Sequence, residues 1–233
     1  MRFLLAGGGT GGHVNPLLAL AQLLRSEGHQ VYALGTKEGL ESRLVPERGF
    51  ELLTVSRLPL PRKFSIGAFA FPFRLLIAVF KTVGYLRKYK IDAVVGFGGY
   101  ASPPAYIAAF LIRKPFVVHE ANAIAGFANK LGAKLGGQVA IAFSNSNLNG
   151  TLTGMPLRQE IVESVAGYDK GQARIELGLD PMLPTLLVTG GSLGAKKINE
   201  TIIGSRDSLR AAGIQVLHIV GDRANLEELR EPG

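Results

Sequence analysis

Short apolar runs rich in β-branched residues alternate along this chain with longer stretches in which apolar residues recur every three or four positions. The first pattern marks strands buried on both faces and the second marks amphipathic helices, so the alternation predicts parallel βαβ units. Arg2 to Ala6 reads as the first strand, followed by a turn from Gly7 to Gly12. Asn15 then suits an N-cap and Pro16 the first helical position, with Leu17, Leu20, Ala21 and Leu24 at helical spacing and Gly28 as the stop. Further strands are expected at Val31 to Leu34, Leu52 to Val55, Ala93 to Gly96, Phe116 to His119 and Val139 to Ala142, with a short extended piece at Thr151 to Thr153. Gly154-Met155-Pro156 reads as a hinge, and beyond it the pattern restarts. A strand is expected at Leu186 to Thr189, a helix from Ala195 to about Ser208, a strand at Val216 to Val220 and the start of a helix at Ala224 to Leu229. The expected fold is α/β with doubly wound parallel sheets: one domain over residues 1–154 and a second over 155–233. Two parallel strands cannot bury both faces of a sheet, so the second domain is expected to be incomplete.

Composition narrows the partners. No cysteine is present among the 233 residues, which excludes a disulfide framework and thiolate chemistry. The net charge of +8 arises from 26 basic and 18 acidic residues. Leu52 to Ile91 contains no Asp or Glu but holds Arg57, Arg62, Lys63, Arg74, Lys81, Arg87, Lys88 and Lys90, so the remainder of the chain is balanced. A basic region this local implies an anionic partner: nucleic acid, anionic lipid or a phosphorylated substrate.

The same region is rich in apolar bulk. Phe64, Phe69, Phe71, Phe73, Leu75, Leu76, Ile77 and Phe80 are interrupted by Pro72, Arg74 and Lys81, which makes a poor membrane span. From Pro72 the spacing fits a helix on which Arg74, Lys81 and Lys88 form a basic stripe beside an apolar face of Phe73, Leu76, Ile77 and Phe80. An interfacial element fits this pattern, with aromatics dipping into lipid and cations meeting anionic headgroups. Phe69, Phe71, Phe73, Arg74, Phe80 and Lys81 are the candidate membrane contacts. A core helix with a solvated basic edge is the competing reading. Nucleic acid is disfavoured, because no nucleic-acid module accompanies the charge.

Three glycine turns follow apolar strands: Gly7 to Gly12, Gly96 to Tyr100 and Gly190 to Ala195. Glycine after a strand is ordinary punctuation, but open α/β sheets bind ligands at the carboxyl ends of their strands. A glycine-rich turn that opens a helix offers backbone N–H groups and a positive dipole end to phosphate. Gly7, Gly9 and Gly12 also satisfy the G-x-G-x-x-G dinucleotide fingerprint. That fingerprint expects an acidic residue ending the second strand, whereas this strand ends Leu34-Gly35-Thr36-Lys37. A nucleotide-dependent oxidoreductase therefore remains a weaker alternative. Of the four histidines, His13, His29, His119 and His218, no two share a metal-ligand spacing, and no metal site is expected. His13 follows the glycine turn at the mouth of a helix and is the candidate general base, its competing role being to pack the turn. His119-Glu120 ends the fifth strand at the same edge, and Glu120 is a candidate for ligand binding or for fixing a loop.

Gly7-Gly-Gly-Thr-Gly-Gly-His13 with Asn15-Pro16, Gly98-Gly-Tyr100, His119-Glu-Ala-Asn122, Gly154-Met-Pro-Leu-Arg158 and Gly190-Gly-Ser-Leu-Gly-Ala195 together resemble one family in order and spacing. It is the bacterial family of UDP-N-acetylglucosamine transferases that convert lipid I to lipid II in peptidoglycan synthesis. The resemblance runs from Met1 to about Val220. It implies a GT-B fold and an inverting, metal-independent transfer of N-acetylglucosamine from UDP to the muramyl 4-hydroxyl of lipid I. UDP-N-acetylglucosamine enters as substrate and no cofactor is implied. The resemblance places the protein peripherally on the cytoplasmic side of the cell membrane, against an anionic lipid surface. By motif, Thr10, Gly11, Gly12, Asn122, Arg158 and Ser192 would bind the donor. Gly98, Gly99, Tyr100 and Glu120 would bind the lipid-linked acceptor, with His13 as catalytic base. Two positions depart from the family pattern: Ala121 and Leu193 stand where glutamine is usual. The family's second domain extends past residue 233, which carries the expectation that this chain is an inactive fragment. A non-catalytic subunit of a split transferase, docking membrane and acceptor, remains the other alternative.

Overall fold

The structure, a computed structural model, describes residues 1–59, 66–191 and 194–221, with the backbone alone at 66–69 and 166. The chain divides into two compact units, Met1–Ser164 and Val165–Gly233.

The first unit is built on a parallel sheet of β1 (Arg2–Ala6), β2 (Gln30–Gly35), β3 (Glu51–Thr54), β4 (Ala93–Gly96), β5 (Phe116–Glu120), β6 (Gln138–Ile141) and β7 (Thr151–Leu152). Their order across the sheet is β3-β2-β1-β4-β5-β6-β7. The chain therefore winds outward from β1 to β3, then crosses back to lay β4 beside β1. That reversal makes a switch point between the carboxyl ends of β1 and β4.

Alternation along each strand sends side chains to opposite faces, and both faces are covered. Leu4, Ala6, Leu34, Val94 and Val118 share one core with Ala78, Val79 and Leu86 of α3 (Ile66–Lys88) and Ala105, Tyr106 and Ala109 of α4 (Ser102–Leu111). Leu5, Ala33, Val95 and Phe97 share the opposite core with Val14, Leu17, Leu18 and Ala21 of α1 (Gly11–Ser26) and Val45 of α2 (Glu41–Glu47). Leu5 pairs in register with Ala33 and Val95, so the centre of this face is closed by small and branched side chains. Each large apolar side chain sealed in these layers contributes about 1.5–3 kcal/mol.

Three element boundaries differ from the sequence reading. α1 starts at Gly11, not at Pro16: Thr10 is the N-cap, and its carbonyl accepts from His13 N–H and Val14 N–H, both at 3.1 Å. Pro16 then lies inside the helix, where its missing N–H forfeits one bond of the helical ladder. α3 starts at Ile66, ahead of Pro72. The single helix expected from Ala195 is divided into α8 (Lys196–Gly204) and α9 (Arg206–Ala211) at Ser205, whose hydroxyl donates back to the Thr201 carbonyl at 2.8 Å.

The second unit contains α7 (Lys170–Glu176), β8 (Thr185–Thr189), α8, α9 and β9 (Gln215–Ile219), with β8 and β9 paired in parallel. The expectation of an incomplete second domain is corrected here, because this stretch closes as a structured unit. Side-chain ties that a strand count does not weigh hold it: Arg174 Nε donates to Thr185 Oγ1 at 2.9 Å, and Gln215 Nε2 donates to the Asp180 carbonyl at 2.6 Å. Asn199 joins α8 to the end of β9 by donating to the Val220 carbonyl at 3.1 Å. The helix expected from Ala224 lies outside the described residues.

Candidate active site

At the switch point the ends of β1 and β4 open into two glycine turns that touch through their backbones. Gly99 has φ +78°, and a Cβ there would overlap the Gly8 carbonyl oxygen. Gly98 has φ +93°, and its Cβ would stand 3.1 Å from His13 Nε2. Both positions therefore need glycine for conformation and for close approach. Ser102, fully buried at the start of α4, accepts from the Gly98 N–H at 3.0 Å and shares its own proton between the Ala6 and Gly98 carbonyls at 3.0 and 2.8 Å. This hydroxyl pins the second turn to the end of β1.

His13 lies in the first turn of α1. Its Nδ1 is 3.1 Å from the Gly8 carbonyl oxygen and 3.2 Å from Thr10 Oγ1. A carbonyl only accepts, so Nδ1 carries the proton in that bond, and it is Nε2, beside Gly98, that bears the lone pair of the neutral ring. The ring is thus held in a geometry suited to taking a proton.

His13 opens into a cavity of about 430 Å³ within the first unit. Its lining includes a polar group of His13, Gly98, Gly99, Tyr100, Glu120 and Asn122. It also includes apolar side chains, among them Leu58, Phe71, Leu75, Ile107, Phe127 and Leu131. The Arg57 guanidinium stands 5.1 Å from the centre of the Tyr100 ring and brings a cation to this rim.

Glu120 also lines the cavity and is 1% exposed at the end of β5. One carboxylate oxygen accepts from Asn122 N–H and Asn122 Nδ2, both at 2.9 Å. The other accepts from Gly126 N–H at 3.1 Å and Asn129 Nδ2 at 3.0 Å. Asn129, on α5 (Phe127–Lys134), accepts in turn from the Tyr106 hydroxyl at 2.9 Å. Burial pushes the Tyr106 phenol well above its ordinary value, so it stays a protonated donor. The loop that presents Asn122 is therefore wrapped around a carboxylate.

His119 is 4% exposed beside this network. Its Nε2 donates to the Gly154 carbonyl at 3.1 Å, which ties β5 to the chain beyond β7. Nδ1 is buried with no hydrogen-bond partner among the described residues. Burial holds the imidazole below its ordinary value, against the Gly154 carbonyl and the Glu120 charge, which both raise it.

The dinucleotide fingerprint finds an unexpected answer at Glu41. This residue is fully buried at the start of α2. Its Oε1 accepts from Thr36 N–H and Thr36 Oγ1, both at 2.8 Å, and its Oε2 accepts from Gly9 N–H at 2.8 Å. A Cβ at Gly8, Gly35 or Gly39 would overlap the Glu41 side chain. The acid near the end of the second strand is thus spent on the protein's own backbone and offers nothing to a ribose hydroxyl.

The structure brings His13, Gly98, Gly99, Tyr100, Glu120 and Asn122 around one cavity. Thr10 touches this group through the His13 ring, and Gly11 and Gly12 form the first turn of α1, whose N–H groups point out of the helix end. Arg158 is half-buried just before α6 (Gln159–Ala166), where its carbonyl accepts from Ile161 N–H at 3.0 Å. Ser192 and Leu193 lie outside the described residues, whereas Ala121 is buried. Of the candidate membrane contacts, Phe73 and Phe80 are 71% and 63% exposed, and Arg74 and Lys81 are exposed beside them. Phe71 instead is half-buried, packs against the core and lines the cavity. The side chain of Phe69 lies outside the described residues. Sequence reasoning missed Glu41, Ser102, Asn129 and the placement of Arg57. Only Glu41 left a signal, in the glycines at 35 and 39 that make room for it.

The sequence pattern of the glycosyltransferase family 28 N-terminal domain matches residues 3–141. The chain belongs to glycosyltransferase family 28. The family's C-terminal domain pattern matches residues 185–232, which bears out two α/β domains of GT-B type and further overturns the incomplete second domain. Over 235 residues the chain is 50% identical to the UDP-N-acetylglucosamine–N-acetylmuramyl-(pentapeptide) pyrophosphoryl-undecaprenol N-acetylglucosamine transferase of Clavibacter michiganensis subsp. michiganensis, covering 99% of this chain and 63% of the relative. The enzyme of the same name from Corynebacterium diphtheriae is 46% identical over 231 residues, covering 99% of this chain and 64% of the relative. The chain therefore spans just under two thirds of the length of these relatives. Among solved structures, MurG of Acinetobacter baumannii superposes with a TM-score of 0.69 at 28% identity, over 98% of this chain and 70% of that one.

Proposed function

We propose that this chain serves an inverting transfer of N-acetylglucosamine from UDP-N-acetylglucosamine to the muramyl 4-hydroxyl of lipid I, giving lipid II. The observation that carries the reading is the His13 ring, whose protonated Nδ1 is held by Gly8 while Nε2 faces the cavity between the two glycine turns. The acceptor oxygen attacks the anomeric carbon, the bond from that carbon to the UDP oxygen breaks, and the acceptor proton passes to His13 Nε2. The mixed polar and apolar lining of the cavity suits an acceptor in which a diphosphate joins a sugar to a lipid. Gly98, Gly99 and Tyr100, with the Arg57 cation, would meet the diphosphate. Leu58, Phe71, Leu75 and Ile107 would meet the first apolar units of the lipid. Thr10, Gly11, Gly12, Asn122 and Arg158 are assigned to the donor, and Glu120 acts by shaping the Asn122 loop. UDP-N-acetylglucosamine is the substrate and no resident cofactor is called on.

The exposed row of Phe73, Leu76, Ile77 and Phe80, with Arg74, Lys81 and Lys88 also exposed along α3, supports peripheral docking on an anionic membrane at its cytoplasmic face. Among the described residues no helix is long and apolar enough to cross a membrane. The test is transfer of labelled N-acetylglucosamine from UDP to a lipid I analogue, with and without His13→Ala. Lipid II product that falls about 100- to 10,000-fold in His13→Ala is expected for loss of a general base. Product formation that is indifferent to the substitution would sink the assignment of His13.

A further inference from the structure

We infer that Glu41 is a positioning residue, which holds the Gly8–Gly9 turn so that the Gly8 carbonyl can fix the ring of His13; the inference rests on His13 being the base. Four observations form the relay. Glu41 Oε1 is anchored to the end of β2 through Thr36 N–H and Thr36 Oγ1, and Thr36 is itself buried. Glu41 Oε2 holds the N–H of Gly9, which sits at φ +87°. The peptide preceding that N–H is the one whose carbonyl, on Gly8, receives the His13 Nδ1 proton. A peptide unit is planar, so fixing its N–H fixes the direction of its C=O. One carboxylate thereby sets the acceptor that selects the proton-bearing nitrogen of the catalytic ring.

The packing around Glu41 fits this role better than that of a filler. Three glycines, Gly8, Gly35 and Gly39, each leave out a Cβ that would collide with its side chain. The glycines of the two turns thus have different neighbours: Gly98 and Gly99 make room for His13 and the Gly8 carbonyl, while Gly8 makes room for the carboxylate. Glu41 does not line the cavity that holds His13, so its influence reaches the reaction only through the turn.

The test reads the ring directly and needs no turnover. In the nitrogen-15-labelled chain at neutral pH, imidazole proton–nitrogen correlations report which nitrogen of His13 is protonated, and amide exchange reports the Gly9 N–H. The wild-type protein is expected to show the Nδ1–H tautomer and a protected Gly9 amide. Glu41→Gln replaces one acceptor oxygen by a donor. Gly39→Ala pushes the carboxylate aside without touching Gly8, Gly9 or His13. Both variants, with near-ultraviolet circular dichroism unchanged, are expected to lose the dominance of the Nδ1–H tautomer. Their Gly9 amide should exchange about 10- to 100-fold faster, as for loss of a hydrogen bond to a charged group. If Glu41→Gln does not fold, Gly39→Ala carries the comparison. A wild-type ring protonated at Nε2, an unprotected wild-type Gly9 amide, or a folded variant with the wild-type ring spectrum overturns the inference. A relay intact by these readouts in a protein that makes no lipid II would instead tell against the proposed reaction.

Discussion

Replacing Glu120 with alanine removes the centre of the network that presents Asn122. Four donors point at this carboxylate, but they do not lose equally. Asn122 and Gly126 are exposed and regain water when the carboxylate goes. Asn129 is 3% exposed and keeps only the His119 carbonyl for its Nδ2, at 3.0 Å. Loss of a hydrogen bond between a buried donor and a charged group costs about 1.5–3 kcal/mol, and the space left by the truncated side chain adds to it. The sum for Glu120→Ala is about 3–4 kcal/mol, against about 1–2 kcal/mol for Glu120→Gln, which keeps the shape and half of the acceptors. For a unit of this size each kcal/mol moves Tm by about 2–4 °C, so Glu120→Ala should melt about 6–16 °C lower and Glu120→Gln about 2–8 °C lower. Differential scanning calorimetry of the two variants beside the wild type measures this. If Glu120→Ala melts within about 2 °C of the wild type, the carboxylate is not holding the loop and the account of this wall is wrong.

His119 predicts a pH dependence. Its folded value lies below an unfolded value of about 6.5, so the neutral ring is favoured in the fold, and its contribution is full above that pH and is lost as pH falls through the folded value. Tm should therefore drop more steeply between pH 7.5 and 5 for the wild type than for His119→Gln, and equal slopes would show that the ring is not responsible. Gly99→Ala forces a Cβ into the Gly8 carbonyl at φ +78°, and should cost more than about 2 kcal/mol by calorimetry while abolishing binding of a lipid-linked diphosphate. On α3, Arg74→Glu with Lys81→Glu should cut partitioning onto vesicles containing anionic lipid by well over tenfold at low salt, since each basic residue near such a surface contributes about 1 kcal/mol. Tm should stay unchanged, because both side chains are exposed.

Strands were the most legible part of this chain. β1 and β4 agree with the sequence reading at both ends, because each apolar run stops at glycine where the ligand edge begins. The start of α1 was misplaced because Gly11 and Gly12 are poor helix formers and Asn15-Pro16 is a strong local start signal. The Thr10 carbonyl and the packing of Val14 beneath the turn outweigh both. α2 escaped notice since its seven residues include Pro46 and offer too few periods to read. His13, Gly98, Gly99, Tyr100, Glu120 and Asn122 were found by their position after strands, which is a property of the topology. Glu41 and Ser102 were not, because a side chain that bonds to backbone 32 or 96 residues away leaves no periodic trace, and Asn129 shows its role only through Glu120 and Tyr106, 9 and 23 residues away. The second domain was misjudged because strand counting ignores the polar ties of Gln215 and Asn199 that close it.

The central claim is that the two glycine turns and His13 form one acceptor site within the first unit. Titration of the nitrogen-15-labelled chain with a soluble short-chain lipid I analogue, followed by amide shifts, tests it most directly. The account predicts saturable movement of Gly98, Gly99, Tyr100 and the His13 ring, with the second unit's β8 and β9 unmoved. Saturable binding that leaves those four positions still, or that maps to β8 and β9, would contradict it.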